Sequence, residues 1–270
     1  RSIIEVSGRT YPVEVRYRDL HLDEENDPVE VEQGIIQAVY ELQNEKEGDI
    51  LVFLPGEREI LETADLLRKE FTNYDVLPLF SRLSQAEQRK IFNPKGRARI
   101  VLSTNVAETS ITVPRIRYVI DTGVARVSRY NSRSRLQSLL IEPIAQAAAN
   151  QRSGRCGRVA EGIAIRLYSE EDFESRPEFL DPEILRTNLA AVILQMGHLR
   201  LGNPEAFPFI EMPETRQIRE GFQTLKELKA VQDDGRITSL GRTLAQIPID
   251  PKFGAMMIHS TRTRQRRNVL

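Results

Sequence analysis

The stretch Asp49-Ile50-Leu51-Val52-Phe53-Leu54 is closed by Pro55-Gly56 and followed, at residues 57–71, by apolar residues at helical spacing. It constrains the fold more than any other segment. A continuous apolar run of this length suits a strand buried on both faces, and a helix after it brings the chain back to lay a parallel neighbour. The unit recurs. Residues 75–80 read as a strand, and residues 84–92 as a helix whose Ser84 and Glu87 are spaced as a capping box; residues 98–103 and 118–121 read as further strands. Residues 29–44, with Val31, Ile35, Ala38, Val39 and Leu42 at helical spacing, predict a helix ahead of the series, and residues 162–168 a strand that closes it. Residues 2–17 alternate about Gly8-Arg9 and predict short strands, while residues 109–113 open a short helix or a turn. The pattern predicts a doubly wound α/β domain with its functional residues at the carboxyl ends of the strands.

Between Gly123 and Ile141 the period changes to alternation about Tyr130-Asn131-Ser132, which predicts a β-hairpin carrying outward arginines able to grip phosphates. A boundary falls within the acidic, proline-bearing residues 169–182. Beyond it, residues 182–196 and 213–231 read as two helices, Asp233-Asp234-Gly235-Arg236-Ile237-Thr238 as a tight turn between short strands, and residues 241–270 as a helical element that stops early. Helices ending in such a wing predict a winged-helix domain.

Composition excludes several classes. At 270 residues, with 29% charged and 40% hydrophobic residues and a net charge of −1, the chain is that of an ordinary globular protein. No apolar run approaches the roughly 18 residues of a membrane span, and residues 1–6 lack the apolar core of a signal peptide. One cysteine excludes an internal disulfide and three histidines leave little for a histidine-based metal site, so no metal ligand is assigned and a reducing cytoplasm is expected. The charge is uneven, however. Residues 23–32 hold six acids, residues 114–136 hold six arginines against the single acid Asp121, and the tail adds Arg262, Arg264, Arg266 and Arg267. Near-neutral net charge therefore leaves room for a nucleic-acid partner.

The alanine-rich residues 145–150 lead into Gln151-Arg152-Ser153-Gly154-Arg155-Cys156-Gly157-Arg158. Continued as a helix, this segment sets Gln151, Arg155 and Arg158 at i, i+4 and i+7, on one face. That face offers an amide and two guanidiniums to an anion, or else it is a solvated basic helix end that complements the dipole; spacing alone leaves both open. Arg152 is directed elsewhere and suits an internal salt bridge equally well, and Cys156 reads as a small packing residue.

Three stretches carry a family resemblance: Leu51-Val52-Phe53-Leu54-Pro55-Gly56, Ser103-Thr104-Asn105-Val106-Ala107-Glu108-Thr109-Ser110-Ile111-Thr112, and Gln151 through Arg158. In order and spacing they resemble motifs IV, V and VI of DEAH-box ATP-dependent RNA helicases, particularly the bacterial HrpA-type. The resemblance implies a second RecA-like domain over residues 1–170, a winged helix over 171–247, and the truncated start of a helical ratchet-like region over 248–270. No G-x-x-x-x-G-K-[ST] loop and no Asp-Glu-Ala-His is present. The phosphate cradle and the magnesium site are accordingly expected on a first RecA-like domain of the same protein, outside this chain. The expectation is a fragment holding half of an ATP and Mg²⁺ site, monomeric and cytoplasmic, with single-stranded RNA and that first domain as partners.

By the same resemblance Gln151 positions the attacking water or contacts the γ-phosphate, Arg155 and Arg158 are arginine fingers, and Ser110 and Thr112 lie near the nucleotide. Phe92 stands where relatives stack an aromatic on the base, although a phenylalanine ending an amphipathic helix is also ordinary core. Thr104 and Asn105 resemble residues that bond RNA phosphates, Gly56 either admits the RNA backbone or is a turn glycine, and Arg126, Arg129, Arg133 and Arg135 belong to a hairpin that resembles the family's strand-separating or RNA-guiding hairpin. Pro114 replaces the aspartate many relatives use near the ribose. The resemblance implies ATP-driven 3′→5′ translocation; the alternatives are an RNA-binding or interaction module without ATPase activity, and a DNA translocase.

Overall fold

The structure is a computed structural model that describes residues 11–20, 30–92, 96–131, 136–158 and 160–262. The predicted turn at Gly8-Arg9, most of the acidic stretch, Arg133, Arg135 and the tail arginines Arg264, Arg266 and Arg267 lie outside them. The chain divides into two compact units, one of residues 1–127 and 140–180, the other of residues 128–139 and 181–270.

The first unit is built on a six-stranded parallel sheet. Its strands are β1 (Val13–Tyr17), β2 (Asp49–Phe53), β3 (Asp75–Leu79), β4 (Arg99–Ser103), β5 (Ile116–Asp121) and, after a hairpin, β8 (Gly162–Arg166), in the order β1-β8-β5-β2-β4-β3. Every residue of β2, β4 and β8 is buried, which is why these strands read as unbroken apolar runs. The edges differ: β1 is half exposed, and β3 carries Pro78, tolerated because an edge strand has no outer partner for its missing N–H.

Helices α1 (Val31–Gln43) and α2 (Glu57–Glu70) cover one face, where Ile35, Val39, Ile60 and Leu67 pack on Ile50, Val52, Ile100 and Ile120. The opposite face is closed by α3 (Gln85–Phe92) and by non-helical chain. Ile91, Ala107, Val113 and Cys156 pack there on Leu51, Phe53, Val101 and Val119. Ser84 and Glu87 form the expected capping box ahead of α3. The connection from β4 to β5 holds only the 3-10 turn Asn105–Ala107, so the segment containing motif V is itself part of the sheet's cover. Strands β6 (Val124–Asn131) and β7 (Leu136–Pro143) form the predicted hairpin, whose root lies in the first unit and whose distal half is grouped with the second.

After the hairpin, α4 (Gln146–Ser153) stops at Gly154, and residues 154–158 form turns. The predicted helical face of Gln151, Arg155 and Arg158 therefore does not exist. Gly157 sits at φ +75°, in the left-handed region, and a Cβ on it would lie 2.5 Å from Val13 Cγ2. Close approach of the β1 strand and burial of Cys156 override helix continuation here. The unit ends with α5 (Glu170–Ser175), capped by Ser169.

In the second unit, the helix predicted at residues 182–196 is broken in two. Helix α6 (Glu183–Arg186) ends at Thr187, and Asn188 Oδ1 accepts from the Ala190 amide to start α7 (Ala190–Leu199) afresh. Helix α8 (Thr215–Glu227) is shorter than predicted, closing where Lys229 takes φ +55°. The wing reduces to one antiparallel bridge, Val231 to Ile237, about a turn with Gly235 at φ +84°. Helices α9 (Ser239–Ala245) and α10 (Pro251–Arg262) replace the single predicted element, and Leu189, Ile193, Ile218, Leu225 and Leu244 form the core.

Candidate functional site

The three conspicuous motifs converge in the first unit through the segment 104–115, which is fixed at both ends by buried arginines. At one end Arg152, fully buried, donates from Nε to Glu108 Oε2 at 3.0 Å, from Nη1 to Asp121 Oδ1 at 2.6 Å and from Nη2 to the Val124 carbonyl at 3.2 Å. Its guanidinium carbon lies 4.8 Å from the centroid of the Phe53 ring. Burial opposes the charge, but Asp121 and Glu108 outweigh it and raise the Arg152 pKa above the ordinary guanidinium value. At the other end Arg99, also buried, pairs with Asp49 at 2.6 Å and donates to the carbonyls of Ile91 at 2.6 Å and Pro114 at 2.8 Å. The end of α3, the end of the motif V segment and the starts of two strands are thereby joined through one side chain.

Arg155 and Arg158 are held differently. Arg155 donates from Nη2 to the Glu108 carbonyl, and Arg158 donates from Nη1 to Thr112 Oγ1 at 3.2 Å. Neither forms an ion pair among the described residues. Arg155 Nε is buried with no hydrogen-bond partner among them. Burial first, and the charge of Arg158 second, pull the Arg155 pKa below its ordinary value. Two neighbouring cations that form no ion pair among the described residues can accept an anion, and polyphosphate oxygens suit guanidinium geometry.

Of the other residues singled out, Gln151 is exposed on the last turn of α4 and Thr112 is joined to Arg158. Ser110 is exposed, and its hydroxyl meets Thr109 at 3.5 Å. Phe92 is 40% exposed at the end of α3 beside fully buried Ile91, so the core role open to it in the sequence falls to its neighbour.

The second group gathers at the carboxyl ends of the strands. Thr104 follows β4 and accepts the Val106 amide as the cap of the 3-10 turn, which leaves Asn105 exposed. Gly56 follows β2 and precedes α2; a Cβ there would meet Glu59 Oε2 at 2.5 Å and Arg126 Nε at 2.7 Å. The space over Gly56 is thus taken by the ion pair of Arg126 with Glu59, 3.2 Å long. Arg129, in the second unit, is 3.4 Å from Asp181. Glu108, Asp121 and Arg99 escaped the sequence reading although a signal was present: each is a charge in or beside an apolar strand or its following turn, and a buried charge requires a partner.

Residues 34–160 match the helicase conserved C-terminal domain and residues 222–249 the helicase associated domain (HA2), winged-helix. The chain is 59% identical over 264 residues to an ATP-dependent RNA helicase HrpA homolog of Haemophilus influenzae, covering 95% of this chain and 20% of the relative. It is 56% identical over 264 residues to ATP-dependent RNA helicase HrpA of Escherichia coli, covering 96% of this chain and 20% of that protein. The crystal structure of Escherichia coli DEAH/RHA helicase HrpB superposes with a TM-score of 0.82 at 30% identity, covering 93% of this chain and 32% of that one. The chain spans about a fifth of the length of these curated relatives.

Proposed function

Because the chain belongs, over its matched length, with the HrpA-type DEAH-box helicases, carrying their RecA-like C-terminal domain and associated winged helix, we propose that it works as the C-terminal motor half of an ATP-dependent 3′→5′ RNA helicase. Arg155 and Arg158 act as arginine fingers toward ATP bound by a first RecA-like domain, and Gln151 orients the attacking water. The observation that carries this reading is the pair of guanidiniums that hydrogen-bond to the motif V segment and form no ion pair among the described residues. Phosphoryl transfer spreads charge over equatorial oxygens, and cations held in place beforehand stabilise that charge without reorganising.

The guanidinium and amide donors of Arg155, Arg158 and Gln151 suit an anion, and they offer no carboxylate or imidazole to a metal ion. Mg²⁺, when bound, supplies further charge neutralisation and is assigned to the other motor domain. Single-stranded RNA runs past Gly56, Thr104, Asn105 and the hairpin arginines, where Arg126 exchanges Glu59 for a phosphate. Phe92, Ser110 and Thr112 border the nucleotide.

In the full-length protein, Arg155→Ala is expected to lower RNA-stimulated ATP hydrolysis by about 10³–10⁵-fold while leaving RNA affinity in place. Unaltered turnover would sink the assignment. The 270-residue chain assayed alone is expected to hydrolyse no ATP, as the missing phosphate loop favours a silent module in isolation; magnesium-dependent hydrolysis by it would overturn the two-domain site.

A further inference from the structure

The neck of the hairpin is closed by a cluster around Arg176, which lies outside the three motifs named above. Arg176 follows α5 and is 9% exposed. Its Nη1 donates to the Gly123 carbonyl at 2.9 Å and to the Ile144 carbonyl at 3.4 Å, so one guanidinium holds the residue before β6 and the residue after β7. Its Nη2 pairs with Asp172 at 2.6 Å, and its guanidinium carbon lies 4.0 Å from the centroid of the Tyr168 ring.

Gly123, at φ +75°, is enclosed on every side. Its N–H donates to Asp121 Oδ1 at 2.9 Å, its carbonyl also accepts the Ile144 amide at 2.9 Å, and a Cβ on it would come within 2.6 Å of Tyr168 Cδ1 and 2.9 Å of Arg176 Nη2. The Tyr168 hydroxyl donates to Asp121 Oδ2 at 3.1 Å, and burial, then the Asp121 charge, push its pKa well above the ordinary phenol range. From Asp121 the contacts continue through Arg152 to Glu108, whose carbonyl holds Arg155.

We propose that Arg176 is a positioning residue that locks the hairpin neck, so that the root of β6 and β7 and the Arg152–Glu108 strut move as one body and nucleotide turnover is converted into strand separation. The coupling half of this inference rests on the helicase reading; the lock does not. Stability alone does not account for the site, because Arg176 Nε is buried without a hydrogen-bond partner among the described residues, an arrangement that costs free energy.

The test uses Arg176→Ala and Arg176→Lys in the full-length protein, read by amide hydrogen exchange at residues 123–127 and 144 and by duplex separation per ATP hydrolysed. Arg176→Ala is expected to speed exchange at these amides about tenfold, the consequence of losing a buried hydrogen bond at a locally opening site. Separation per ATP should fall by about the same factor while the ATPase kcat is unchanged, since one neck opening controls both. Arg176→Lys, which keeps a donor for the two carbonyls, should recover most of both. Unaltered exchange overturns the lock. Faster exchange with full strand separation, or a parallel fall of hydrolysis and separation, overturns the coupling. Should Arg176→Ala fail to fold, Asp172→Asn weakens only the ion pair that orients the Arg176 guanidinium and must show the same pattern at smaller amplitude. If the wild-type protein separates no duplex, the helicase reading falls and the exchange data still decide the lock.

Discussion

Arg152 and Arg155 stand three residues apart in one motif, and their environments are opposite. Arg152 meets two carboxylates, a carbonyl and an aromatic face, and has no exposed surface. Arg155 meets one carbonyl and a like-charged neighbour, and keeps one nitrogen unsatisfied. The first environment neutralises a cation and fixes its position. The second leaves a cation with unused capacity, as an anion receptor requires. One short segment thus contains both a strut and, on the function proposed above, a receptor, and Glu108 joins them, its carboxylate on Arg152 and its carbonyl on Arg155.

The sharpest way to break this contrast is to remove the strut. Arg152→Ala strands Asp121 and Glu108 without their cation, and breaking a buried pair in this way costs about 3–5 kcal/mol. Urea unfolding of the 270-residue chain, followed by a probe in the sheet unit, should record a loss of that size. A shift below about 1 kcal/mol would place Arg152 with the dispensable surface pairs and erase the distinction.

A milder change separates the two ends. Glu108→Gln keeps an acceptor for Arg152 Nε and leaves the backbone carbonyl on Arg155, while one negative charge disappears. Stability is expected to fall by about 1–3 kcal/mol, the range for weakening a hydrogen bond to a charged group. Pyrophosphate should raise the melting temperature of this variant by as much as it raises that of wild type. A lost response would mean that the carboxylate, and not the carbonyl, sets Arg155.

This contrast was only half legible in the sequence. The sheet was plain, because strands buried on both faces must be continuous apolar runs, and β2, β4 and β8 are buried throughout. The motifs were plain as well, although the contacts of Arg155 with the Glu108 carbonyl and of Arg158 with Thr112 were not. What failed was periodicity. Helical spacing put Gln151, Arg155 and Arg158 on one face, but α4 ends at Gly154 and the close approach of Val13 to Gly157 turns the chain away. Likewise a helical pattern at residues 182–196 concealed the break at Asn188, whose side chain caps a new helix. Both failures are tertiary or capping interactions overriding a local pattern. Asp121 was visible as the single acid in a basic stretch, yet its bonds to Arg152 and Tyr168 join positions far apart in sequence, which spacing within one segment does not encode.

The smallest effect tests the receptor. Replacing Arg155 and Arg158 together by Met removes two cations that serve no ion pair among the described residues but does take a donor from the Glu108 carbonyl and from Thr112 Oγ1, so the stability of the anion-free chain is expected to fall by about 0.5–1.5 kcal/mol, the net worth of such a hydrogen bond. Pyrophosphate at ten times its dissociation constant stabilises a one-site receptor by about 1.4 kcal/mol. For a unit of this size that is a rise of about 3–6 °C in melting temperature. Wild type should show this rise and the double variant should not. Sulfate, with less charge and a single tetrahedral centre, should give a weaker rise of the same kind. If the double variant keeps the full response, the anion binds elsewhere, with Arg115 and Arg117 at the amino end of β5 as the next basic pair to replace. The unpaired guanidiniums of motif VI would then be solvated cations, and the difference between Arg152 and Arg155 would reduce to burial alone.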